Sequence, residues 1–198
     1  MLNRIIEETK NTIVATVKGA ADILGTLRSS VKDLVVDTLR DAGEVTGAAI
    51  ELVSGVVKGA ITGASEMGTT AVEASSDVVS GAVRGVSEAG GDIATAAKEA
   101  VRGVVQGTSE VGGDIGNAAV NGVRGAIKAT QEIGGDTGET ARSAVLGAVN
   151  AADEIGDEAG RTVRDALLAS AELPKDIVEA AIGRRDQGSQ GEQESQEE

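Results

Sequence analysis

Glu88-Ala89-Gly90-Gly91-Asp92-Ile93 returns as Glu110-Val111-Gly112-Gly113-Asp114-Ile115 and again as Glu132-Ile133-Gly134-Gly135-Asp136-Thr137, spaced by 22 residues each time. Twenty-two is twice eleven, and eleven residues make three helical turns at about 3.67 residues per turn. A repeat of that length holds one face of an α-helix in alignment over a long distance. The frame extends as Val79 to Ala100, Val101 to Gly122, Val123 to Ala144 and Val145 to Ala166. Backward, with less identity, it continues as Val57 to Val78, Val35 to Val56 and Ile13 to Leu34. A degenerate unit starts at Leu167 and is broken by Pro174, which is suited to the first turn of a short helix reaching Ile182. The expected organisation is a lead-in over residues 1–12, helical repeats over 13–166, and the last degenerate unit with its short helix over 167–183. Residues 184–198, nearly devoid of apolar side chains, read as a disordered acidic tail.

Inside one unit the apolar positions step by three and four, as in Val101, Val104, Val105, Thr108, Val111, Ile115, Ala118, Ala119 and Gly122. They cover an arc of roughly 165°, wider than a coiled-coil seam. This stripe is the candidate interaction face. Its larger members are Val79, Val83, Val86, Ile93, Val101, Val104, Val105, Val111, Ile115, Val123, Ile127, Ile133, Val145, Val149 and Ile155. On the polar arc, basic residues such as Arg84, Arg102 and Arg124 gather on one flank, and acidic residues such as Glu88, Glu99, Glu110 and Glu132 on the other. Two readings follow: a mixed, solvated face, or lateral pairing of the acidic flank of one helix with the basic flank of another.

The 28 glycines set the stability of such a helix. Each mid-helix glycine costs about 0.8–1 kcal/mol relative to alanine. Twenty of them would cost on the order of 20 kcal/mol, beyond the 5–15 kcal/mol net stability of a domain. Helicity must therefore come from packing on another segment, another copy or a lipid boundary. Gly-x-x-x-Gly pairs such as Gly59/Gly63, Gly81/Gly85 and Gly103/Gly107 allow close helix–helix approach. Gly-Gly-Asp could instead punctuate, with glycine ending one helix and aspartate capping the next. The apolar phase runs straight through the pair, from Val111 to Ile115 to Ala119, and the units with Gly47, Gly68 and Gly156 keep the period without it. The expectation is therefore continuous or gently kinked helices. The fold class is all-α: long amphipathic helices, extended or folded back into a bundle, with no β-sheet.

Composition narrows the function. The chain has 198 residues, net charge −14, and no Phe, Tyr, Trp, His or Cys. A conventional aromatic core is excluded, as are thiol chemistry and the usual nucleophile–base pairs. The negative charge disfavours nucleic acid and anionic lipid heads. No phosphate loop is present, and Gly-Gly-Asp matches no calcium-binding nonapeptide. The carboxylates Glu88/Asp92, Glu110/Asp114, Glu132/Asp136 and Glu154/Glu158 stand four apart. On one helix they would be like-charge neighbours, either a solvated stripe or a place for a hard cation. Glu51, Lys58 and Glu66 interrupt the most apolar stretch, so no transmembrane helix is expected. The expectation is a cytoplasmic non-enzyme without cofactor, metal or small-molecule substrate.

From Ile13 to about Ala166, this amphipathic repeat resembles late embryogenesis abundant proteins of the 11-residue type, synucleins, perilipins, exchangeable apolipoproteins and bacterial phasins. That resemblance implies helices formed on a lipid or other apolar boundary, or on drying. The chain departs from the lipid-binding members in having no aromatics, and from the protective members in its fuller apolar face. The expected function is a structural or surface-coating role through self-association or an apolar surface. The alternatives are a conditionally folded stress protectant and a helical scaffold for partner proteins.

Overall fold

The computed structural model describes residues 2–18, 22–43 and 45–183; the tail expected over 184–198 lies outside them. In chain order the helices are α1 (Leu2–Val17), α2 (Ile23–Asp41), α3 (Gly47–Ile50), α4 (Leu52–Glu66), α5 (Ala71–Glu88), α6 (Ile93–Glu110), α7 (Ile115–Ile133), α8 (Thr137–Ile155) and α9 (Asp157–Ala169). A further helical segment covers residues 175–183, with the Pro174 carbonyl accepting from the Ile177 and Val178 amides, as the proline suggested. The described residues contain no strand. The all-α expectation holds.

The expectation of continuous helices does not. Each unit is one helix and one turn. Gly90, Gly112 and Gly134 sit at φ +80°, +67° and +79°, the left-handed conformation that ends a helix. The next glycine closes the turn: the Gly91, Gly113 and Gly135 amides bond the Val86, Thr108 and Thr130 carbonyls at 2.9 Å. The following aspartate starts the new helix, with Asp92 accepting from the Thr95 amide at 2.7 Å and Asp114 from the Asn117 amide at 3.0 Å. Gly68 and Gly156 hold positive φ without a second glycine, so the punctuation survives where the pair does not. The apolar phase crosses these turns because each turn occupies a fixed number of residues, not because the helix continues. The boundaries at residues 12/13 and 166/167 fall inside α1 and α9, since the repeat frame begins mid-helix.

Consecutive long helices pack antiparallel across two layers, and the closest neighbours are two helices apart in sequence, or three where the short α3 intervenes. One layer runs α1, α4, α6, α8; the other runs α2, α5, α7, α9. The structural repeat is therefore a helical hairpin of 44 residues, twice the sequence repeat. Segment 175–183 lies against α8 and extends the first layer, with Val178, Ala181 and Ile182 buried. The core between the layers is valine and alanine: Val57, Val79, Val101, Val123 and Val145 at one repeat position, Ala60, Ala82, Val104, Ala126 and Ala148 at another. Longer side chains, Ile13, Leu27, Leu39 and Leu167, fill the ends.

Such short side chains require close helices, and the second set of glycines supplies the approach. A Cβ at Gly85 would stand 2.8 Å from the Lys32 carbonyl oxygen, and one at Gly107 3.2 Å from the Lys58 carbonyl oxygen. Gly59, Gly81, Gly103, Gly125 and Gly147 sit tighter still: a Cβ there would stand 2.2–2.5 Å from a carbonyl oxygen of the helix preceding them in their layer. Both glycine readings therefore apply, at different positions of one unit.

Gly85→Ala should lower stability by about 1–3 kcal/mol through forced separation of α2 and α5, and Gly112→Ala by about 1–2 kcal/mol through its positive φ. Gly47→Ala, with open space around it, should be neutral or slightly stabilising; urea unfolding ranks the three. The Thr108 and Thr130 hydroxyls are buried without a hydrogen-bond partner, and Val86 fills the same repeat position. Thr108→Val should therefore raise stability by roughly 1 kcal/mol in the same measurement.

Candidate interaction surface

The structure uses the apolar stripe for its own core. Val79, Val83, Val86, Val101, Val104, Val105, Val123, Val145 and Val149 are buried, and Ile93, Ile115, Ile127 and Ile133 are half-buried against the same cluster. Only Val111 and Ile155, at the turns, are exposed, at 36% and 42%. As a surface offered to something else, the candidate face needs correction: the partner of each helix is another segment of the chain. The sequence showed that the stripe required a partner, and the 22-residue period is equally compatible with an external one.

What faces solvent is the polar arc, and here the lateral pairing is realised. A recurring set of ion pairs joins a helix to the next one in its own layer, beside others within one helix and one, Arg164 with Asp153, between the layers. Lys10 of α1 meets Glu66 of α4 at 3.5 Å, and Lys32 of α2 meets Glu88 of α5 at 2.9 Å. Lys58 of α4 pairs with Glu110 of α6 at 2.6 Å. Arg84 of α5 pairs with Glu132 of α7, and Arg102 of α6 grips Glu154 of α8 through both carboxylate oxygens at 2.8 and 2.9 Å. Arg124 of α7 reaches Glu172, beyond α9. Hydrogen bonding to Lys32 holds the Glu88 carboxyl below its ordinary range, and the same contact raises Lys32. Solvent screens each pair, so each is weak; their regular placement opposes sliding of one helix along its neighbour.

The carboxylates four apart are not like-charge neighbours on a helix. The turn parts them, so Glu88, Glu110 and Glu132 join the ion pairs while Asp92, Asp114 and Asp136 cap the next helices. Hydrogen bonds at Thr95 and at Asn117 hold Asp92 and Asp114 below the usual carboxylate range. No group of three or more metal-ligating side chains occurs among the described residues.

One acidic residue leaves the pattern. Glu99 of α6 is 4% exposed, and desolvation pushes its carboxyl up, opposed by Lys98 and Arg102 and reinforced by Glu51 and Glu154. The covering element is the α3–α4 junction. From Gly43 to Gly68 the positive-φ glycines are 25 residues apart, where every later interval is 22, and the added length forms a turn of helix that packs on α6. Sequence reasoning placed Glu99 on the acidic flank but not in the interior. The irregular spacing of the glycines was its only available signal.

Gly47–Glu66, which contains this junction, is long and apolar enough by length and composition to cross a membrane, yet 67% of that window is buried inside the fold. The charges at Glu51, Lys58 and Glu66 do not bring it below that threshold.

No protein-family model matches the chain, and no curated protein is significantly similar to it. Among solved structures, the crystal structure of the de novo designed helical repeat protein DHR7 is similar in fold, with a TM-score of 0.51 and 18% identity over 91% of this chain and 96% of that one.

Because the folded Glu99 carboxyl titrates above its unfolded value, its ionised form opposes folding. That penalty is absent below the ordinary glutamate range and grows as pH rises through the folded value. Glu99→Gln should therefore be more stable than the parent at pH 7 and no more stable at pH 4, measured by thermal unfolding at both.

Proposed function

We propose that this chain is a helical-repeat scaffold whose polar outer faces serve partner proteins. The observation that carries the reading is the burial of the apolar stripe between the two layers of one chain. A helix that finds its partner within its own chain needs neither a lipid boundary nor a second copy to form. The faces left over are two rows of parallel helices bearing charged and small polar side chains in a fixed spacing, a surface typical of solenoids that bind along their length. Coating an apolar surface would require the layers to open, exposing residues such as Val79, Val101 and Val123 that are now fully enclosed. A role as a drying protectant would require the hydrated chain to be unfolded.

Circular dichroism of the full chain in dilute buffer tests this. The expected result is strong helicity that is independent of protein concentration, a cooperative thermal transition, and no change on adding phosphatidylcholine vesicles. Helicity that rises with vesicles would restore surface coating. Helicity that rises with concentration would restore self-association, and a chain that is largely unfolded when hydrated would restore the protectant reading.

A further inference from the structure

Where the glycine spacing lengthens, the solenoid also holds an open cleft of about 350 Å³ between the α3–α4 junction and α6. Ala48, Leu52, Glu51, Glu99, Arg102 and Gln106 line it. Glu99 is the most buried charge in the lining, with a side chain 5% exposed, and none of the lining groups hydrogen-bonds to it. Arg102 is engaged through both oxygens of Glu154, at 2.8 and 2.9 Å, and the Gln106 amide is directed to the same carboxylate. The Ser54 hydroxyl, also in the wall, donates to the Glu51 backbone carbonyl at 2.8 Å. The nearest cation to Glu99 is its neighbour Lys98, whose Nζ stands 3.8 Å away, beyond hydrogen-bond reach, on a side chain 42% exposed.

A carboxylate buried with no hydrogen-bond donor and one distant ion-pair partner is expensive to keep. Other units carry an acid at the same position, Asp33, Asp77 and Asp165, but within the layer of Glu99 the positions 44 residues before and after are Gly55 and Ser143, and the position 44 after Glu51 is Thr95. The two carboxylates, the added helical turn and the cleft occur together at one place. We infer that this cleft binds an organic cation, an alkylammonium or alkylguanidinium group, with Glu99 as the buried anion, Glu51 as the exposed one and Leu52 and Ala48 against the alkyl stem. A divalent metal fits less well. Calcium takes six to eight oxygen ligands, and the cleft offers two carboxylates, Glu51 and Glu99. The same headgroup is carried by free amines and by lysine or arginine side chains of a partner. The inference does not depend on the scaffold role.

The test is titration of the full chain at pH 7 with butylammonium, butylguanidinium, neutral butanol and magnesium, following amide ¹⁵N shifts over residues 48–54 and 95–106. Saturable shifts with either organic cation, and none with butanol or magnesium, are expected. Glu99→Gln, nearly isosteric, should stay folded and bind about tenfold more weakly or worse. Glu51→Gln, an exposed change, should weaken binding to a smaller extent. If a lysine tripeptide with blocked ends binds more tightly than butylammonium, the natural source is a partner's side chain; if more weakly, a free amine. Absence of saturation by either organic cation, equal binding by Glu99→Gln, or saturation by magnesium at the same amides would overturn the assignment.

Discussion

A helix that turns only valine, alanine and glycine toward its neighbour buries enough surface only when the two backbones come very close. Everything else in this fold follows from that constraint. Gly59, Gly81, Gly85, Gly103, Gly107, Gly125 and Gly147 remove the Cβ where a carbonyl of the preceding helix in the layer would collide with it. Without that approach the small side chains would leave voids, and dispersion contacts fall steeply with a gap of even half an ångström. The same residue that weakens an isolated helix therefore strengthens a stacked one. This resolves the apparent conflict between the glycine content and the extent of helix.

The polar residues and glycines at each turn divide their tasks. The glutamate closing a helix pairs laterally with a base on the preceding helix of its layer, as Glu88 does with Lys32 and Glu110 with Lys58. The aspartate four residues later caps the next helix, as Asp92 and Asp114 do. The glycine between them takes a positive φ that other residues adopt only with strain. A unit of this kind propagates by nearest-neighbour contacts, and its ends need different residues. Leucine and isoleucine supply them in α1, α2 and α9 and in residues 175–183. Against this regularity the buried Glu99 and the lengthened α3–α4 segment stand out as the place where the chain departs from what stacking alone requires.

Much of this could be read from the residues. The steps of three and four named the helix face, and Val79, Val101, Val123 and Val145 are core residues at one repeat position as the periodicity implied. The two charged flanks were visible, and their lateral pairing was one of two open readings. The turns were misjudged. Continuity of apolar phase through Val111 and Ile115 looked like continuity of helix, whereas a turn of constant length preserves phase equally well. The candidate surface was misjudged for a related reason: a stripe records that a helix needs a partner, and carries no mark of whether that partner is 44 residues away or in another molecule.

By itself, then, the sequence determined that this protein is helical, that its units are 22 residues long, which face of each is apolar, and that no aromatic or thiol chemistry operates in it. These are local properties, set by side-chain identity and by periodicity along one chain. Only the tertiary structure decided that the units alternate between two layers and that the true repeat is 44 residues. Only it showed that the glycines of the helix interior and those of the turns act by different means, and that a single carboxylate among the described residues, Glu99, is enclosed. Those outcomes depend on which backbone lies against which, and a one-dimensional pattern leaves that choice open until the helices stack.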